Sequence, residues 1–487
     1  MSLLALSGTN SVSGGYEIDN SVKLDHDNAE SFSRAQAQGN QQIWTFSTWL
    51  KRTQLSENSN EPYQNIWSAG SSTSNATHVY FRGDSSYPDN KLFFYMDNGG
   101  TQYFHGSTPQ SFRDTSAWYH LVWAVDTTQA TAANRSKIYI NGEQITLDSV
   151  TYPTQNASTR VMDNGGDMYI GALAGNGGYR FNGYLAETVL VDGTQLAASD
   201  FGEYDSDSGI WIPIDVSSIS TGTRGFYLDY SDASNLGNDA DGSTVFTENY
   251  ITSADQATDS PTNNFCTLNQ LALDGSVGSS GNITQGATKA TATEFDVFIT
   301  FAPTFGVTSG KWYAEFEYEG SQADNLVGIL DIDAVVAYNS RLGKAGAWSV
   351  GFYQSNGKLY VTANSGVTSI ANWGASAANG DIISVAVDMD NHFVYFAKNG
   401  TYQNSGVPTS GATGTGGVAF DSNKTVGIGC SSYDQGGDEG QIFANYGGFT
   451  AGTISSAATD ANGYGTFEYA PPSGYYALCT KNLAEYG

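Results

Sequence analysis

The chain has 487 residues, enough for two or three domains, and 39% are hydrophobic, enough for true cores. A formal net charge of −29 repels nucleic-acid phosphates and anionic lipid surfaces, which excludes both as partners. No run of 18 apolar residues occurs, so no membrane-inserted segment is expected. Glycine (57), tyrosine (30) and phenylalanine (24) are abundant and charged residues make up only 14%, a profile of short strands joined by tight turns.

Residues 1–20, "MSLLALSGTNSVSGGYEIDN", are small, polar and Gly/Ser-rich after a short apolar start, and read as an anchoring tail. They lack the basic stretch of a secretory signal, and the three cysteines are too few for a disulfide framework, so synthesis in a reducing cytoplasm is expected. Residues 21–200 alternate on period 2 in "QIWTFSTWLKR" (42–52), "THVYFRG" (77–83), "NKLFFYMDN" (90–98), "AWYHLVWAVD" (117–126), "SKIYINGEQIT" (136–146) and "GYLAETVLVDG" (183–193). Residues 201–265 are rich in Asp, Ser, Asn and Gly and read as an acidic connector with small strands of its own. Residues 266–487 return to strands, among them "GKWYAEFEYEG" (310–320), "DIISVAVDMDN" (381–391) and "HFVYFAKNGTYQ" (392–403). The predicted fold class is all-β: two antiparallel β-sandwiches joined by the connector.

One pattern occurs twice. Ala-Val-Asp closes a strand at Asp126 and again at Asp388, and each is followed by a hairpin through Asn-Gly, Asn141-Gly142 and Asn399-Gly400. Asn-Gly is the strongest short hairpin signal, because both turn positions take positive φ. The repeat describes a scaffold fragment.

The motifs "WTFSTWLKR", "IWSAG", "WYHLVWAVD", "KIYINGEQI" and "YIGAL…FNGYLAETVLVDG" make residues 20–200 resemble the laminin-G-like, concanavalin A-like jelly roll. "GVTSGKWYAEFEYEG", "ISVAVDMDNHFVYFAKNG" and a late "IFANYG" make residues 270–483 resemble the SPRY sandwich, with "LDIDAVVAYNSRLGKAG" departing from its spacing. The connector resembles segments that follow such domains in tailed-phage proteins. These resemblances imply a non-enzymatic structural protein of the virion, a tail fibre that presents lectin-like domains to host-surface carbohydrate. A head-attached fibre or capsid decoration protein and a glycan depolymerase are the alternatives. They also imply contacts with other virion proteins through the N-terminal tail, and a homo-oligomer, trimeric by family resemblance.

The candidate sites are few. Glu315, Glu317 and Glu319 share one face of a strand, about 7 Å apart in succession, near the spacing of glycosidase carboxylate pairs. The alternation with Phe316 and Tyr318 predicts a plain solvent-facing row. The histidines show no metal-binding spacing, and no catalytic residue is assigned. "GNDADGSTVFTE" (237–248) offers Asp239, Asp241 and Glu248 as oxygen ligands for Ca²⁺, without a ligand at the first loop position or flanking helices. Asp126 is a further candidate at the sandwich rim. A turn in which Asp bonds its own backbone explains both places equally well. Loop aromatics are candidates for stacking on sugars: Tyr179, Tyr338, Trp373 and Tyr433.

Overall fold

The computed structural model describes residues 15–487 except 56–62, 85–86, 176, 243–244, 274–280, 321–323, 334–338, 345–347, 363–367 and 436–437. The expected anchoring tail therefore lies largely outside the described residues. The fold is all-β with several antiparallel sheets, and the chain divides into two compact units, Val12–Thr262 and one whose described part is Asn263–Gly487. The α-helix among the described residues is the seven-residue Thr480–Tyr486.

Two eight-stranded sheets build the unit Val12–Thr262. The first runs Glu143–Ile145, Ser136–Ile140, Trp118–Asp126, Ile43–Arg52, Gly183–Asp192, Ser21–Leu24, Gln256–Ala257, with Phe226–Leu228 also paired to Gly183–Asp192. The second runs Asp148–Thr151, Thr101–Ser107, Tyr87–Asn98, Asn75–Asp84, Tyr63–Ser72, Asp167–Ile170, Ser31–Ala35, Thr247–Asn249. Alternation explains why they face one another. Trp44, Phe46, Leu121 and Trp123 of the first sheet meet Trp67, Val79, Phe81 and Phe94 of the second in one buried cluster. Trp123 takes the edges of Trp44 and Phe94, each at 5.2 Å between ring centres. Burying each such ring contributes about 3 kcal/mol.

The stretch read as a connector supplies strands to both of these sheets: Phe226–Leu228, Thr247–Asn249 and Gln256–Ala257. None exceeds three residues, too short for a period-2 pattern to stand out of an Asp/Ser/Asn-rich background.

In the unit containing Asn263–Gly487 a third sheet runs Gly281–Thr284, Lys289–Ala292, Gln441–Asn445, Lys311–Glu319, Ile382–Asp388, Phe393–Lys398, Thr401–Tyr402. A fourth runs Phe298–Phe301, Val426–Gln435, Leu326–Asp331, Ser349–Tyr353, Leu359–Val361, Thr368–Ile370. Trp312, Phe316, Val385 and Phe396 of the third pack on Ile329, Phe352 and Ile428 of the fourth.

Both Asn-Gly turns take the expected backbone: φ is 48° and 85° at Asn141 and Gly142, and 47° and 75° at Asn399 and Gly400. Each Asn side chain also accepts from the strand opposite, Asn141 from the His120 amide at 2.7 Å and Asn399 from the Ile382 amide at 2.9 Å. The glutamate row corrects the sequence reading. Glu315 is not in solvent but 2% exposed, because residues 449–470 lie over that face. Its carboxylate accepts from the amides of Glu468 and Tyr469, both at 2.8 Å, and from the Tyr313 hydroxyl at 2.8 Å. Glu317 accepts from the Thr453 amide at 2.5 Å and the Thr453 hydroxyl at 3.1 Å. These carboxylates therefore serve as acceptors that hold a covering segment.

A candidate ligand-binding face

The second sheet buries one side in the core, and its other side carries an aromatic surface. On the strand Asn75–Asp84, Val79 and Phe81 face the core, so His78, Tyr80 and Arg82 face outward. On Tyr87–Asn98, Leu92 and Phe94 face the core, so Phe93 and Tyr95 face outward. Register then aligns outward residues across the strands: Ser33, Tyr169, Ser68, His78, Tyr95, His105 and Thr151 are successive partners. Six interstrand steps make this row roughly 29 Å long. Asn65, Tyr80, Phe93 and Ser107 form the next row.

The rings pack on one another, some stacked and some tilted or edge-on. His78 lies 5.1 Å from Tyr80 and 5.6 Å from Tyr95; Tyr95 lies 6.2 Å from His105. Arg82 lies over Tyr63 at 5.1 Å and Phe93 at 5.8 Å, and Tyr63 meets the edge of Tyr179 at 5.2 Å. Tyr80 and Phe93 are each 6% exposed, whereas Tyr179 is 37% exposed. His78 is bonded to Asn65 Oδ1 at 3.1 Å, and burial pushes its imidazole down to about 4, so it is neutral at physiological pH. At the far end of the row, Asp97 Oδ1 and His105 Nδ1 are buried without a hydrogen-bond partner. Burial raises the Asp97 carboxyl above its ordinary pKa. A band of aromatic rings with the exposed Tyr179 at its border suits the apolar C–H face of a pyranose.

The sequence-derived candidates scatter. Asp126 ends its strand in a local turn, accepting from the Thr128 amide (3.0 Å), the Thr128 hydroxyl (2.6 Å) and Gln129 Nε2 (2.6 Å). Burial raises its pKa, but those donors outweigh it and hold the carboxyl below the ordinary range. Asp388 is bonded likewise, to the amides of Asp390 and Asn391 at 3.1 and 2.9 Å, with Lys311 Nζ at 2.8 Å in addition. Asp239 accepts from the amides of Tyr227 (2.9 Å) and Asp241 (3.1 Å), Asp241 from the Thr221 hydroxyl, and Glu248 from the Gly237 amide at 3.1 Å. Asp126 and Asp388 thus serve as turn acceptors, Asp241 and Glu248 bond residues further off in the chain, and Asp239 Oδ2 is buried without a hydrogen-bond partner; among the described residues no group of three or more His, Cys, Asp or Glu converges on a metal position.

Of the aromatics, Tyr179 stands at the border of the row. Tyr433 packs at a tilt against Phe298, their ring centres 4.4 Å apart, and donates to Asp296. Tyr338 lies outside the described residues. Trp373 lies in a loop, as expected, but is not available to a sugar: it is 7% exposed, and its ring meets the edges of Phe352 and Phe396 in the core. Sequence reasoning missed His78, Tyr95 and His105, which belong to regular strands. The signal that finds them is aromatic residues at the outward positions of three consecutive strands.

His120 is wholly buried against Trp49, their rings 4.6 Å apart. Its Nδ1 accepts from Trp211 Nε1 at 3.1 Å, so Nε2 carries the proton and donates to Ser47 Oγ at 2.9 Å. The pair has no free base nitrogen to activate the serine, and burial pushes the imidazole down to about 3.

Residues 24–198 match the family model described as the concanavalin A-like lectin/glucanases superfamily. No curated protein matches the chain. Among solved structures, the SPRY domain of human HERC1 is 16% identical with a TM-score of 0.28, the match covering 36% of this chain and 96% of that one. The mouse laminin alpha1 chain domains LG4-5 are 9% identical with a TM-score of 0.29, covering 96% and 99%. The native heptameric SAP-like pentraxin from Limulus polyphemus is 15% identical with a TM-score of 0.27, covering 38% and 80%. Over residues 24–198, then, the chain is similar to the laminin-G and concanavalin A-like jelly rolls.

Proposed function

We propose that this protein is a non-enzymatic carbohydrate-binding protein whose lectin-like sandwich takes glycan along the outward aromatic row of the second sheet. The observation that carries this reading is the register of Tyr169, His78, Tyr95 and His105, which sets rings on four of five consecutive strands, with Ser68 between the first two. The similarity of residues 24–198 to concanavalin A-like lectins agrees with it. Binding of purified protein to an array of microbial polysaccharides tests it. Tyr95→Ala and Tyr179→Ala are each expected to weaken the best glycan about tenfold. Equal retention by both variants sinks the reading.

We further propose that the protein serves as a tail fibre of a tailed bacteriophage, joined to other virion proteins through its N-terminal residues and assembled as a homo-oligomer. This rests on the sequence resemblance of the connector, residues 201–265, to segments that follow such domains in tailed-phage proteins. Antibody labelling of purified virions is the test: label at the tail tip supports it, and label on the head alone replaces it with a decoration role.

A further inference from the structure

A second polar site lies on the opposite, inner side of the same sheet. Arg34 is the cross-strand partner of Met168, and Met168 faces the core, so the arginine points inward between the two sheets. Its guanidinium lies 4.8 Å from the rings of both Phe226 and Phe246. Its Nη2 donates to the Arg224 carbonyl at 2.8 Å. Arg224 comes from the loop before Phe226–Leu228 of the first sheet, is exposed, and donates through Nε to the Gln38 carbonyl at 3.3 Å. Between the two arginines is a cavity of about 260 Å³, also lined by Gln36, Met162, Met168 and Thr223.

Charge is what makes this cavity unusual. Acidic residues outnumber basic ones 49 to 20 in this chain, so carboxylates are the cheapest partners to find. Lys23, Lys51, Lys311 and Lys398 each have one within 2.8 Å. Among the described residues, Arg34 and Arg224 form no ion pair; Asp239, whose charge acts on Arg34, gives its Oδ1 to two backbone amides and keeps its Oδ2 buried without a hydrogen-bond partner. Two like charges face one cavity, one of them held in a fixed orientation by aromatic rings and a carbonyl. That orientation costs no ordering when an anion arrives, and a guanidinium fork matches an oxyanion geometrically.

We propose that the cavity between Arg34 and Arg224 binds an oxyanion, the carboxylate or sulfate of an acidic sugar or the free anion. The volume holds several waters' worth of material, more than one small ion needs. The Met162 and Met168 side chains offer an apolar wall for the ring that carries the charge. The site is separate from the aromatic row and stands or falls without it.

Titration calorimetry on the full chain at low salt tests this with sodium sulfate, glucuronate and glucose. Sulfate and glucuronate are expected to bind saturably and glucose not. A glucuronate affinity well above that of sulfate identifies the sugar acid as the ligand, and parity identifies a free-anion site. Arg224→Gln removes one exposed charge and is expected to weaken either anion about ten- to a hundredfold with the unfolding transition unmoved. Arg34→Lys keeps the charge, loses the fork, and is expected to weaken sulfate likewise. Tyr179→Ala is expected to leave sulfate binding unchanged, which separates this site from glycan binding on the aromatic row. No heat with either anion on folded protein, glucose binding as well as glucuronate, or an Arg224→Gln variant that binds as the parent does would each overturn the proposal.

Discussion

The first and third sheets, one in each unit, both carry a covering layer on the side away from the sandwich core, and each hides one glutamate beneath it. In the unit Val12–Thr262 the layer includes the hairpin of Gly202–Tyr204 and Trp211–Pro213, and the glutamate is Glu187. In the other unit the layer is the segment 449–470 and the glutamate is Glu315. Burial pushes both carboxyls up to about 7. Their partners differ. Glu315 accepts from two backbone amides, the Tyr313 hydroxyl and Asn445 Nδ2, so it fixes the backbone of its cover. Glu187 Oε1 accepts from the Tyr16 hydroxyl at 3.1 Å while Oε2 is buried without a hydrogen-bond partner, and the residue has φ 47° where the strand register slips. The same burial thus yields a structural clasp in one unit and a strained, half-satisfied group in the other.

Removing the clasp is expected to have the largest effect. Glu315→Ala leaves the amides of Glu468 and Tyr469 unpaired under the cover and should destabilise its unit by about 3–5 kcal/mol. Urea unfolding measures the loss, and new proteolytic cleavage within 449–470 locates it; an unchanged midpoint with an intact segment refutes the role given to this carboxylate.

A glutamate at about 7 when folded and 4.5 when exposed binds its proton more tightly in the native state. Its contribution is complete below pH 4.5 and is lost as pH rises through 7, by up to about 3 kcal/mol per group. Thermal unfolding between pH 5 and 8, a range chosen to span roughly that window, should therefore show each unit losing stability as pH rises. Glu187→Gln should flatten the slope of its own unit while leaving the other unchanged.

Each Asn-Gly turn carries an aromatic ring of its unit's cover. A Cβ on Gly142 would stand 2.3 Å from Trp211 Cε3, and one on Gly400 would stand 2.7 Å from Tyr469 Cδ1, so an aromatic ring of each cover rests on its turn. Gly142→Ala and Gly400→Ala are each expected to cost about 2 kcal/mol, the former more, through both contact and positive φ. The smallest effect is expected at the strand exits. Asp126→Asn should change stability by about 1 kcal/mol or less, and Asp388→Asn by more, because it breaks the contact with Lys311 at a fully buried carboxylate. Equal losses at the two positions would mean that the lysine adds nothing.

These contrasts show what a sequence states and what it withholds. The Asn-Gly turns were legible because one backbone requirement, positive φ at both positions, admits few residue pairs. The alternation in "QIWTFSTWLKR" revealed a strand for the same local reason. Alternation does not say which strands are neighbours, so the row His78–Tyr95–His105 stays invisible until register joins three segments. Nor does it say what covers a sheet: the glutamates of "AEFEYEG" read as solvent-facing because the segment that buries Glu315 lies some 150 positions later in the chain. Trp373 misled for a related reason. Its neighbours are loop residues, but its ring fills space between Phe352 and Phe396, which come from two different sheets.

The cysteines have a practical consequence. Cys266, Cys430 and Cys479 are all buried and reduced, and all belong to the unit containing Asn263–Gly487; the unit Val12–Thr262 has none. Burial raises the Cys479 thiol to about 12 and the Cys430 thiol further, so neither reacts in the closed state. Alkylation is then a clock for the opening of one unit alone. Cys479 sits under the covering layer with Tyr313 and Phe467, while Cys430 sits in the sandwich core. Their relative labelling rates distinguish a lifting of the cover from a separation of the sheets, with no dye or added reporter in the chain.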